Sequence, residues 1–139
     1  MYSNGQGVPE NEVKAAQWRI RAAKLGDVVS QSLLGGRYSL GNGVPQDDFK
    51  AVYWYTKAAT QGNIAAQFFL GDKYFTGEGV PKDYVRAYAW LSIAAAQEDF
   101  LAPMLKSTAI NCMTPAQIAE AQKLSREYWE KYVVPFQKE

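Results

Sequence analysis

The chain has 139 residues, 47% of them apolar, and its fifteen basic and fourteen acidic side chains leave a net charge of +1. That balance excludes attachment to nucleic acid or to a membrane surface by field strength alone. There is no histidine and only one cysteine, Cys112, so Ser–His–Asp and Cys–His catalysis, His-bearing zinc sites and an internal disulfide are all excluded.

No stretch approaches the ~20 apolar residues of a membrane span, and "YAWLSIAAA" at 88–96 is much too short. The opening "MYSNGQGVPEN" has neither a basic n-region nor an apolar h-region, so no signal peptide is read in it. Cys112, with apolar neighbours, is expected to be a small buried hydrophobe.

In chain order the first signal is Tyr2, then Gly5, then Gly-Val-Pro at 7–9. The tripeptide recurs at 43–45 and 79–81, two steps of 36 residues. Self-similarity at a fixed period of this size marks a repeat array. Many positions share the register: Asn11, Asp47 and Asp83; Ala15, Ala51 and Ala87; Trp18, Trp54 and Trp90; Tyr2, Tyr38 and Tyr74. Gly26 matches Gly62, Gln31 matches Gln67, and Leu34-Gly35 matches Leu70-Gly71.

Each unit reads as two helices. The first covers 11–25, with copies at 47–61 and 83–97. Asn11, Asp47 or Asp83 supplies the capping oxygen, and Ala15, Trp18 and Ala22 form a helical stripe. Gly26 and Gly62 stand where a left-handed residue ends that helix. The second helix covers 28–40 and 64–76, with Gln31, Leu34, Gly35, Tyr38 and their copies as its stripe. A mid-helix glycine costs ~1 kcal/mol against alanine, so its recurrence at 35 and 71 implies close approach of the neighbouring backbone.

The third unit loses the pattern after Ala95. "FLAPMLKSTAI" at 100–110 predicts a short second helix with Pro103 in its first turn. "MTPAQIAEAQ" then opens a fresh helix, Thr114 capping, Pro115 first and Gln117 closing a capping box. Ile118, Ala121, Ser125, Tyr128, Trp129 and Tyr132 share one of its faces. A solenoid's last repeat has no successor to stack on, so 114–133 is expected to cap it. The units are 1–10 (the end of a partial repeat), 11–41, 42–77, 78–112 (degenerate) and 113–139 (cap helix and tail). A start on the closing tyrosine of a repeat points to a piece of a longer array. The compartment is open: cytoplasmic for a complete chain, periplasmic or secreted for a piece of a longer precursor.

The pattern G-x-G-V-P-x-D-x-x-x-A-x-x-W-x-x-x-A-A-x-x-G-x-x-x-A-Q-x-x-L-G-x-x-Y-x-x-G resembles the Sel-1-like repeat, related to the tetratricopeptide repeat, over residues 2–97. The resemblance implies an all-α fold, a right-handed α/α superhelical solenoid, and a role as an adaptor for other proteins. Tails similar to "MTPAQIAEA" follow the last repeat in many bacterial relatives. Some cysteine-rich members are linked to β-lactam binding, but this chain lacks their paired cysteines.

No catalytic, metal or cofactor constellation emerges. "GNGVPQ" and "GEGVPK" lack the third glycine of a dinucleotide loop, proline removes an amide, and no strand precedes them. Asp47-Asp48 and Glu98-Asp99 are adjacent in sequence and do not face one another on a helix; no serine sits in a nucleophile motif. The tryptophans read as repeat core rather than as a stacking platform. Lys14, Arg19, Arg21 and Lys24 point around the helix in different directions and read as a solvated face.

By the same resemblance, the second helix of each unit lines a concave groove. The residues between its core positions are Val29, Ser32, Gly36 and Ser39, then Ala65, Phe68, Asp72 and Phe75, then Met104 and Thr108. Phe68 and Phe75 around Asp72 would anchor a peptide, with Asp72 orienting a basic group. The competing assignment packs both phenylalanines against the cap helix or a neighbouring repeat. The expected partner is a protein or peptide rather than nucleic acid. A cell-envelope or carbohydrate-binding role is the alternative, a hydrolase the remote one. Pairing of copies through exposed repeat ends also stays open.

Overall fold

The computed structural model describes residues 10–137. Tyr2, Gly5 and the 7–9 tripeptide lie outside the described residues, as does nearly all of the partial repeat assigned to 1–10. The elements are α1 (Glu10–Lys24), α2 (Val28–Leu40), α3 (Asp48–Ala59), α4 (Ile64–Thr76), α5 (Tyr84–Ala96), α6 (Ala102–Ile110) and α7 (Pro115–Tyr132), followed by a 3-10 turn, Val134–Phe136. No strand occurs among the described residues.

The joints repeat because their chemistry repeats. Asp47 and Asp83 are extended, at φ −158° and −151°, and their carboxylates accept from the amides of Lys50 and Arg86. Their own amides donate to the carbonyls of Tyr38 and Tyr74, both at 2.9 Å, which holds them outside the helix they cap. Asn11 departs from this expectation and lies inside α1. The carbonyl that would hold it out belongs to Tyr2, beyond the described residues. Gly41 and Gly77 end α2 and α4 in the left-handed region, at φ 76° and 79°. Gly43 and Gly79 lie against the preceding first helix: a Cβ there would sit 2.3 Å from the Glu12 carbonyl oxygen and 2.4 Å from that of Asp48.

Stacking of pair on pair makes the core. Trp54 is buried with Ala23 and Leu34 of the preceding pair, and Trp90 with Leu70, Ala58 and Ala59. Trp18, expected in the core like its copies, is 69% exposed. Its copies are covered by the helix pair N-terminal to them, and that position before α1 lies outside the described residues. The glycines at 35 and 71 admit side chains of the next helix rather than its backbone. A Cβ would come within 2.6 Å of the Tyr55 ring at Gly35 and 2.8 Å of Leu91 Cγ at Gly71.

Buried glutamines tie the layers. Gln31 and Gln67 donate to the carbonyls of Ala23 and Ala59, each at 3.1 Å. Their oxygens accept from Gln61 (2.9 Å) and Gln97 (2.8 Å), one register on.

α7 begins with the expected capping box. It packs against α5: the Trp90 ring lies 4.6 Å from that of Tyr128 and 5.1 Å from that of Tyr132. Val133 is buried in the main core, and Phe136 covers Gly62 in the α3–α4 turn. The last pair is therefore covered on its α5 side. Phe100 and Met104 at the α6 end remain 97% and 75% exposed. Two rings of α7, Tyr128 and Tyr132, find Trp90 on α5, whereas Met104, Ser107 and Thr108 of α6 stay exposed. Cys112, expected to be buried, is exposed in the turn after α6, where no later element crosses it. No helix among the described residues is long and apolar enough to cross a membrane.

Candidate partner-binding groove

Between α2 and α4, above α3, lies a cavity of about 310 Å³. α2 contributes Ser32, Leu33, Gly36, Ser39 and Leu40; α4 contributes Ala65, Phe69, Asp72 and Lys73; Tyr55 of α3 is also part of the lining. It exists because α2 carries small residues where α4 carries large ones. Ser32, Gly36 and Ser39 share their register with Phe68, Asp72 and Phe75. One unit on, the corresponding space is filled: Phe68 is buried among Ala87, Leu91, Ala94 and Ala102, with Phe75 packed at the edge of that cluster. The Phe75 ring also sits 5.5 Å from that of Tyr84.

This arrangement revises the sequence-based groove. Ser32, Gly36, Ser39, Ala65 and Asp72 come together around one cavity. Phe68 and Phe75 do not flank Asp72 as anchors; they close the neighbouring interval against α5 and α6, because Ala87, Ala94 and Ala102 leave room for them. Val29 is exposed and is not part of the lining. Met104 and Thr108 are exposed on α6, where Thr108 Oγ1 donates to the Met104 carbonyl at 3.1 Å.

The exposed aromatic of the site is Phe69, which the sequence reading passed over; its ring stacks on that of buried Tyr55 at 5.3 Å and 22°. Leu33, Leu40, Tyr55 and Lys73 were passed over as well. A signal existed for Leu33 and Phe69: they share a register that is apolar again at Leu105, outside the repeat consensus.

The charges here are unevenly matched. Lys73 is buried, and its Nζ donates to Ser39 Oγ (2.9 Å), Asp48 Oδ1 (3.2 Å) and Glu78 Oε1 (3.5 Å). One repeat earlier Arg37 pairs with Glu12 at 3.0 Å, in the register of Lys73 with Asp48. Asp72 is half-buried, and burial pushes its carboxyl above the usual carboxylate range, opposed by Lys73 and assisted by Glu78. Burial first, and the charge of Asp72 second, push the Tyr55 phenol up to about 12. On the other side of α2 a second depression of about 380 Å³ shares Leu33 and Gly36 with the first and reaches Glu12, Arg19 and Arg37. Leu33 and Gly36 of α2 thus border both depressions.

A family model described as the Sel1 repeat matches three consecutive segments, residues 1–27, 28–63 and 64–99. The chain belongs to the Sel1 repeat family. Each Sel1 segment after the first starts at or next to a second helix and carries the following first helix. That phase has a physical basis, since α2 packs more extensively against α3 than against α1, and α4 more against α5 than against α3. Among solved structures, the chain is similar to c5321, a protective antigen present in uropathogenic Escherichia coli strains and displaying an SLR fold. The identity is 36% and the TM-score 0.89, over 94% of this chain and 28% of that one. It is also similar to a Sel1 repeat protein from Oxalobacter formigenes, with 41% identity and a TM-score of 0.67, over 69% of this chain and 28% of that one. The chain thus spans under a third of the length of either. No curated protein matches it. Sel1 repeats are in general protein–protein interaction modules.

Proposed function

We propose that this Sel1 array is a non-enzymatic interaction module that holds a segment of a partner polypeptide in the groove between α2 and α4. The observation that carries the reading is the contrast between two equivalent intervals. Phe68 and Phe75 fill one, whereas Ser32, Gly36 and Ser39 leave the other open with Leu33, Leu40 and Phe69 on its walls. Leu40 and Phe69 are 73% and 40% exposed, an apolar lining of the kind that binding sites present around a few polar groups.

The test uses the chain's own solution for closing the interval. In the double variant Ser32→Phe, Ser39→Phe, α2 carries the residues of α4. Peptides selected from a random displayed library on the unmodified protein should perturb the backbone amides of Leu33, Gly36, Phe69 and Asp72, and lose binding to the variant. Peptides that bind both proteins equally would place the interaction elsewhere and end this reading.

A further inference from the structure

Six described acidic residues are half-buried: Glu12, Asp47, Asp48, Asp72, Asp83 and Asp99. Five have a donor. Glu12 pairs with Arg37 and Asp48 with Lys73. Asp47, Asp83 and Asp99 accept from backbone amides at helix starts. Asp72 alone among them accepts no hydrogen bond from the described residues. The adjacent cation cannot serve it, because Lys73 Nζ is already shared by Ser39, Asp48 and Glu78. Nor does the repeat require an acid there, since the same register holds glycine at 36. A half-buried carboxylate with no protein donor keeps only part of its hydration, so an arriving cation would be favoured there.

We propose that the residue anchoring the partner segment is a lysine or arginine, its charged end on the Asp72 carboxylate and its aliphatic stem along Phe69, Leu33 and Leu40. This rests on the groove reading above and adds the chemistry of the occupant. The walls suit such a side chain, whose stem is apolar and whose head is charged. The stacked rings of Tyr55 and Phe69 offer a π-face to the same cation. Burial raises the Asp72 carboxyl, and the nearby charge of Lys73 offsets this only in part. A polypeptide rather than a free cation is favoured because a second depression lies beside the first, with Leu33 and Gly36 bordering both, and gives room for residues that flank the anchor.

The experiment titrates the isotope-labelled chain with the capped peptide Ac-Gly-Leu-Arg-Leu-Gly-NH2 and with its citrulline counterpart, which keeps the shape and loses the charge. Shifts at the Gly36, Phe69 and Asp72 amides are followed by NMR. The arginine peptide should bind at least about tenfold more tightly, the difference a charge-assisted hydrogen bond makes. The near-isosteric Asp72→Asn should reduce it to the level of the citrulline peptide. Equal affinity of the two peptides overturns the inference and leaves the groove reading standing. Agmatine shifting these amides while neither peptide does would overturn both, because the site would then take a free cation. Silence at these amides with all three probes also overturns the inference, and the library selection then decides the groove reading separately.

Discussion

Replacing Gln67 by leucine tests whether the buried amide ladder holds the C-terminal helix to the repeats. Gln67 is fully buried. Its Nε2 donates to Ala59 O at 3.1 Å and to Tyr132 O at 3.2 Å, and its Oε1 accepts from Gln97 at 2.8 Å. Leucine is close in volume, so the loss is one of polar partners rather than of packing. Each hydrogen bond contributes about 1 kcal/mol net, giving a destabilisation of about 3 kcal/mol. Gln31→Leu is the internal control. Gln31 is equally buried but makes two such bonds, to Ala23 O and from Gln61, with no counterpart of Tyr132. It should cost about 2 kcal/mol on the same scale. With a urea m-value of about 2 kcal/mol/M, the midpoints fall by about 1.5 M and 1 M. Amide exchange separates the two further. Val133 and Phe136, whose amides bond to Trp129 O and Val133 O, should exchange faster in Gln67→Leu than in Gln31→Leu. Equal midpoints, together with unchanged exchange at Val133 and Phe136, would show that the Tyr132 bond contributes nothing and refute the reasoning.

Phe68→Ala should lower stability by about 3 kcal/mol, the usual cost of emptying a buried phenylalanine site, and a loss below about 1 kcal/mol in urea melts would contradict its burial against α5 and α6. Alkali should destabilise the fold between pH 10 and 12. Burial holds Tyr55 and Tyr128 at about 12 against an ordinary 10.0; above pH 10 the unfolded chain gives up these protons and the folded chain does not. The stability they add is complete below pH 10 and lost through pH 12, so a urea midpoint unchanged from pH 9 to pH 11.5 would refute it.

The architecture was legible because it is written in period and in local chemistry. Asp47 and Asp83, Gly41 and Gly77, and the Thr114–Gln117 box act on backbone groups a few residues away, so their roles follow from spacing alone. The second helices end where their glycines say they should. The misreadings share a different cause. Trp18 was judged from register and Cys112 from its apolar neighbours, yet each depends on what a distant segment brings against it; for Phe68, register left an anchor role and packing on a neighbouring repeat both open, and the structure shows the packing. The same register that is open at Ser32 is closed at Phe68, because Ala87, Ala94 and Ala102 come from elements further along the chain.

The sequence by itself determined, through its 36-residue period, that this is a repeat array and where the joints fall, and, through its caps and helical stripes, that each unit is a pair of helices. Those properties rest on interactions within about five residues or on a pattern repeated identically. Only the tertiary structure decided that the groove is open between α2 and α4 and closed beyond, that α7 lies on α5, and that Asp72 is left without a donor. Each of these is a sum over contacts between segments far apart in the chain. Side-chain volume and donor supply at such a meeting point are properties of the assembled surfaces, and no single repeat encodes them.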